Sequence, residues 1–238
     1  TERPSLNNAP YRTLSLALTY GLFGRWLQMA ALAIPLLWGA VAEAAPKRVL
    51  AFGDSLTAGF GLPAADALPV QLETRLRADN FDVKVVNAGV SGDTTEMGLA
   101  RLEYTLSDGP VDIAVVELGA NDMLRGLPPK AARANLEKII ETFRSKGVNV
   151  IIAAMVSGDN WGQAYRQEFD SIYPDLAAKY GVTMVPFFME GVWGNPSLLI
   201  GDGLHPNSAG VRKVVEKIAP YVEMALTPSG AGQQSGAR

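Results

Sequence analysis

Of the 238 residues, 48% are hydrophobic and 19% charged, with one histidine and no cysteine. The missing cysteine excludes a disulfide framework, a zinc ribbon, iron–sulfur ligation and a thiol nucleophile. The single histidine excludes multi-histidine zinc sites, so any histidine-dependent catalysis must run through His205. A net charge of −3, with no basic run, provides no electrostatic footprint for nucleic acid.

The chain opens with Arg3, Arg12 and Arg25 against the single acid Glu2, followed by a nearly uncharged stretch over 26–42. Its densest part, 29–38, has the length of a signal-peptide apolar region and is short for a membrane span. Ala40-Val41-Ala42 and Ala42-Glu43-Ala44 are small-x-small sites, so residues 1–42 are expected to form an export signal cleaved near 42 or 44. That places the mature protein in the periplasm or outside the cell, without stable membrane association after cleavage. The alternative is an uncleaved anchor, since 26–42 just reaches across a thinned bilayer. Beyond residue 42 the chain carries 18 Lys and Arg against 23 Asp and Glu. At the other end 227–238 (TPSGAGQQSGAR) lacks apolar periodicity and is expected to be a disordered tail.

Between these ends, β-branched apolar runs alternate with helical patterns. Strands are expected over 48–53 (RVLAFG), 83–87 (VKVVN), 111–118 (VDIAVVEL), 148–155 (VNVIIAAM) and 182–187 (VTMVPF). Helices are expected over 65–78, with Leu68, Leu72 and Leu76 in register, over 129–146 and 165–180, each followed by glycine, and over 208–226. Five strands alternating with helices predict one α/β domain over 47–226, a three-layer α/β/α sandwich on a mostly parallel five-stranded sheet. In such folds ligands sit beyond the carboxyl ends of the strands.

Four loops at those ends carry the chemistry-bearing residues. Gly53-Asp54-Ser55-Leu56 follows the first strand; its serine hydroxyl would stand at a helix start, or Asp54 and Ser55 would serve as an ordinary N-cap. The P-loop lysine, the G-x-G-x-x-G fingerprint and the G-x-S-x-G elbow are all missing there. The loop with Ser91-Gly92-Asp93-Thr94 can bring backbone N–H groups close to a ligand, or simply turn into a capped helix. Gly119-Ala120-Asn121-Asp122 offers an amide donor past the third strand, although Asn-Asp is also common turn chemistry. In Gly201-Asp202-Gly203-Leu204-His205-Pro206, Asp202 can orient the imidazole of His205. As a metal pair these two lack a third ligand. Together the loops supply a nucleophile, a base, an orienting carboxylate and oxyanion donors, which is a complete acyl-transfer set.

These four blocks, in this order, resemble the SGNH (GDSL-type) hydrolases: Gly53-Asp54-Ser55-Leu56, Gly92, Gly119-x-Asn121-Asp122 and Asp202-x-x-His205. The stretches 91–94, 116–119, 124–126, 172–174 and 186–190 are similar to the exported bacterial thioesterase I and arylesterase branch. The resemblance implies the flavodoxin-like fold of that family. It also implies Ser55 as nucleophile, His205 as general base and then acid, and Asp202 as orienting carboxylate. The Ser55 N–H, the Gly92 N–H and the Asn121 amide would form the oxyanion hole. No metal or organic cofactor is expected; the substrate would be a small-molecule or lipid acyl ester, with aryl esters, acyl thioesters and lysophospholipids as candidates.

The loop 156–162 (VSGDNWG) departs from relatives, which often carry a proline or arginine there. With 123–128 it is expected to border the acyl or leaving-group pocket, making Asp54, Met123, Leu124, Met155 and Trp161 candidate substrate-binding residues. A carbohydrate O-deacetylase and a catalytically silent binding protein are the alternatives. Only Trp161 and Trp193 remain beyond the leader to stack on sugars, and the intact Ser, Asn, Asp and His set exceeds what binding alone requires.

Overall fold

A computed structural model describes residues 45–227. The expected export segment 1–42, and all of the expected tail 227–238 but Thr227, lie outside the described residues. Five strands form one sheet: β1 (Lys47–Gly53), β2 (Val83–Gly89), β3 (Ile113–Glu117), β4 (Asn149–Ala153) and β5 (Thr183–Val185). Their order is β2-β1-β3-β4-β5, and all four pairings are parallel. Helix-forming segments fall between them: α1 (Ser55–Ala58), α2 (Leu68–Ala78), α3 (Thr95–Leu106), α4 (Ala120–Leu124), α5 (Pro129–Ser145), α6 (Gln163–Asp170), α7 (Ile172–Tyr180) and α8 (Ser208–Leu226).

Apolar strands covered on both sides explain the sheet. Val49 to Phe52 are at most 1% exposed, and every residue of β3 is buried. Right-handed crossovers put α2 on one face, where it packs on α8, and α3 and α5 against each other on the other face. α5 turns Leu136, Ile139, Ile140 and Phe143 inward, each contributing about 1.5–3 kcal/mol of apolar burial. Because β2 lies on one side of β1 and β3 on the other, the strand order reverses at β1, opening a crevice beyond the strand ends. The register pairs Gly53 with Gly89 on one side and with Glu117 on the other, so three chain segments leave the sheet side by side.

The three-layer α/β/α expectation holds, with the sheet entirely parallel. The expected 165–180 helix is two helices, α6 and α7, meeting at Ser171. Helix α3 was anticipated only as the alternative reading of the 91–94 loop, a capped helix without bounds, and Thr94 does cap it. It buries only Thr95, Gly98 and Leu102, too few apolar positions to make a periodic stripe.

Candidate active site

Ser55 opens α1 directly after β1. Asp54 caps it: its Oδ1 accepts from the Leu56 N–H at 3.0 Å. Gly53 is required before it, because a Cβ there would sit 2.6 Å from both the backbone oxygen and the carboxyl of Glu117. Gly92, with φ +88°, turns the loop after β2 in the left-handed region that only glycine adopts freely. Its carbonyl accepts from the Arg125 guanidinium at 2.8 Å. After β3, the Asn121 Nδ2 lies 3.0 Å from Asp54 Oδ2 and 3.0 Å from the Asp93 carbonyl oxygen. The neighbouring Asp122 accepts from the N–H and hydroxyl of Thr95 at 2.8 and 2.7 Å, tying this loop to the start of α3.

The imidazole comes from the last crossover. His205 Nε2 is 2.9 Å from Ser55 Oγ, and its Nδ1 is 2.6 Å from Asp202 Oδ2. Asp202 Oδ1 accepts from the N–H groups of Leu204 and His205 at 2.9 and 3.0 Å. Burial alone would raise this carboxyl; the two N–H groups and the imidazole outweigh it and hold the pKa down at about 2. The Phe60 ring lies against the imidazole, centroids 4.6 Å apart. Asn207 then fixes the exit: its Oδ1 accepts from Ala209 and Gly210 N–H, and its Nδ2 donates to the Ser197 and Leu199 carbonyls. Thus the predicted Ser55, Gly92, Asn121, Asp202 and His205 converge on one rim.

They open onto a cavity of about 620 Å³. Its wall is apolar: Phe60, Met123, Leu124, Met155, Val156, Phe187, Met189, Trp193 and Leu204. Of the expected substrate contacts, Met123, Leu124 and Met155 line this cavity. Two other expected contacts are corrected. Asp54 borders the cavity but is 0% exposed, and both its oxygens are engaged by Leu56 and Asn121. Trp161 lies outside the lining; its indole N–H donates to the Met123 carbonyl at 2.8 Å and its ring covers Gly126, so it braces the wall from behind. Gly158 and Asn160 of the same loop line the cavity instead.

Two side chains not foreseen from the sequence brace the Ser55 turn from beneath. Arg101 of α3 donates to Asp93 at 2.6 Å and to the Gly53 carbonyl at 2.9 Å, with its guanidinium 4.2 Å from the Phe52 ring centroid. Glu117, wholly buried, accepts from the Thr57 hydroxyl at 2.7 Å and the Asp54 N–H at 3.3 Å. An acid ending an otherwise apolar strand was the visible signal for Glu117; Arg101, in a helix with no apolar stripe to give it bounds, left none. Burial pushes both acids up, Asp54 to about 6 against the pull of Leu56 and Asn121, and Glu117 well above the carboxylate range. Among the described residues no group of three His, Cys, Asp or Glu side chains could hold a metal ion.

A model of the GDSL-like Lipase/Acylhydrolase family matches residues 51–213. The chain is 40% identical to an arylesterase of Vibrio mimicus over 178 residues, 75% of this chain and 89% of that one. It is 37% identical to the thioesterase 1/protease 1/lysophospholipase L1 of Escherichia coli strain K12 over 185 residues, 78% of this chain and 86% of that one. Among solved structures, AlinE4, an SGNH-hydrolase family esterase, is 43% identical with a TM-score of 0.65, covering 76% of this chain and 97% of that one. Four ordered motif blocks, the parallel sheet and these likenesses agree: the chain belongs to the GDSL-like lipase/acylhydrolase family, the SGNH hydrolases.

Proposed function

We propose that this chain is a serine esterase and thioesterase that hydrolyses acyl esters through an acyl–Ser55 intermediate. The observation that carries the reading is the unbroken line from Asp202 Oδ2 to His205 Nδ1 and from His205 Nε2 to Ser55 Oγ, at 2.6 and 2.9 Å. His205 takes the Ser55 proton as Oγ bonds to the acyl carbon. The imidazolium that forms is stabilised by Asp202, then protonates the departing alcohol or thiol. Water, deprotonated by the same imidazole, attacks the acyl-enzyme and releases the acid and Ser55. The Ser55 N–H, the Gly92 N–H and the Asn121 amide hold the oxyanion, each donor being worth about 3 kcal/mol. Asn121 reaches it by sharing the hydrogen that otherwise points at the Asp93 carbonyl.

The apolar wall favours an acyl or aryl group over a sugar, and no lysine or arginine stands among the lining residues. Aryl esters, acyl thioesters and lysophospholipids are accordingly the substrates proposed. The segment 1–42 is proposed as an export signal whose removal leaves a periplasmic or secreted enzyme; mass spectrometry of the exported protein should find it starting at Glu43 or Ala45.

A panel of p-nitrophenyl esters and acyl-CoA substrates of graded chain length tests the activity, with Ser55→Ala alongside. The wild type should turn over acyl chains longer than acetyl, and Ser55→Ala should lower kcat by about 10⁴-fold or more. Equal turnover by both proteins would sink the nucleophile. Activity confined to acetylated sugars would favour the deacetylase.

A further inference from the structure

Glu117 takes no part in the relay just described, yet it lies fully buried directly under the Ser55 turn. A hydrogen-bond inventory identifies its protonation. Asp54 is engaged as an acceptor on both oxygens, from Leu56 N–H and from Asn121 Nδ2, each at 3.0 Å. Glu117 Oε2 accepts from Thr57 and from the Asp54 N–H, whereas Glu117 Oε1, equally buried, receives no donor. The two acids are immediate neighbours, with Glu117 Oε2 on the Asp54 N–H. None of the ion pairs among the described residues includes either acid. Arg101 is committed to Asp93 and the Gly53 carbonyl, and the Tyr173 hydroxyl to the Leu118 carbonyl. Two neighbouring, fully buried carboxylates without a cation cannot both be ionised, so the pair holds one proton. The only one of the four oxygens without a donor belongs to Glu117, which therefore carries it.

We propose that Glu117 is a positioning residue of the acyl-transfer site: by holding the proton of the pair it keeps Asp54 the double acceptor that aims the Asn121 amide at the oxyanion and braces the Ser55 turn. Glu117 touches no substrate and acts through Asp54 and Asn121. Its burial and the neighbouring carboxyl both favour the protonated form. The inference rests on the serine-hydrolase reading above.

Kinetics and melting of Glu117→Gln, Glu117→Leu, Asn121→Ala and the Glu117→Leu/Asn121→Ala double variant test it, with Ser55→Ala as control. Glutamine supplies an N–H where the carboxyl proton stood, so Glu117→Gln should keep kcat within about threefold of wild type. Glu117→Leu should lower kcat by about ten- to a hundredfold with little change in KM, short of losing a whole oxyanion donor. In the Asn121→Ala background the same change should cost less than about threefold, since the amide it orients is gone. The proposal is overturned if a folded Glu117→Gln loses more than about tenfold in kcat, or if Glu117→Leu costs as much with Asn121 absent as with it present. Should the leucine variants not fold, the glutamine result decides alone. Undiminished activity in Ser55→Ala would instead overturn the serine-hydrolase reading and this inference with it. An inactive Ser55→Ala leaves the Glu117 results to judge the positioning role by themselves.

Discussion

The turn that carries Ser55 is braced by side chains from elsewhere in the sequence, Glu117, Asn121 and Arg101, whereas the loop that carries His205 supplies its own bracing carboxylate, Asp202, three residues away. Around Ser55 the polar groups are buried: Asp54 and Glu117 are 0% exposed and Asp122 2%. Around His205 they are nearer water, with the Asp202 side chain 34% exposed. The first arrangement couples catalysis to stability, because a lost partner leaves a buried polar group unsatisfied. The second separates them. Protonation follows the same division: buried acids under Ser55 have raised pKa values, and the loop acid a lowered one.

The largest effect that would expose this difference is at His205. His205→Ala should lower kcat by about 10⁴-fold, while Tm moves by less than about 2 °C. A clear loss of stability in a thermal melt would break the contrast. Arg101→Ala should do the reverse. It leaves Asp93, 6% exposed, without its cation, and should cost about 2–3 kcal/mol in urea denaturation with only about a tenfold fall in kcat. Unchanged stability would show that the Ser55 turn is not held this way.

The smallest effect is in the pH dependence of folding. Asp202, with a folded pKa of about 2 below its ordinary 3.8, contributes stability above pH 4 that is lost as pH falls toward 2. Glu117, raised above its ordinary 4.5, instead makes the wild type lose stability as pH climbs past that value. Measured against wild type by urea denaturation across pH, Asp202→Asn should therefore gain ground toward acid and Glu117→Gln toward base. Parallel trends would erase the distinction between the two regions.

Much of this was legible in the chain. Short apolar runs such as VLAF and VIIA, bounded by turn residues, read as strands covered on both sides, and the glycine-bearing loops after them are local motifs whose roles depend on a few neighbouring residues. Long-range geometry was not legible. Helix α3 turns a glycine, Gly98, toward Leu118, so its packing depends on closeness rather than on an apolar stripe. Arg101 acts through Asp93 and Gly53, partners set by how α3 lies across the sheet. Trp161 sits in the loop expected to line the pocket, yet it stands behind the wall, because its indole finds the Met123 carbonyl there. Asp54 reads as a pocket acid until the fold supplies Asn121 to turn it inward.

Asn207 engages all four of its amide hydrogen-bonding positions, clasping the start of α8 to the short 3-10 helix Pro196–Leu198 and to Leu199 just after it. The imidazole two residues earlier is thus surveyed from a benchmark outside the cavity, much as a tool is set by its mount. A fault in that mount would show first as slack alignment at Ser55, 152 positions away in sequence, with every reacting side chain still present. In a chain of this design, the residues that set reaction geometry need not be the ones that meet the substrate.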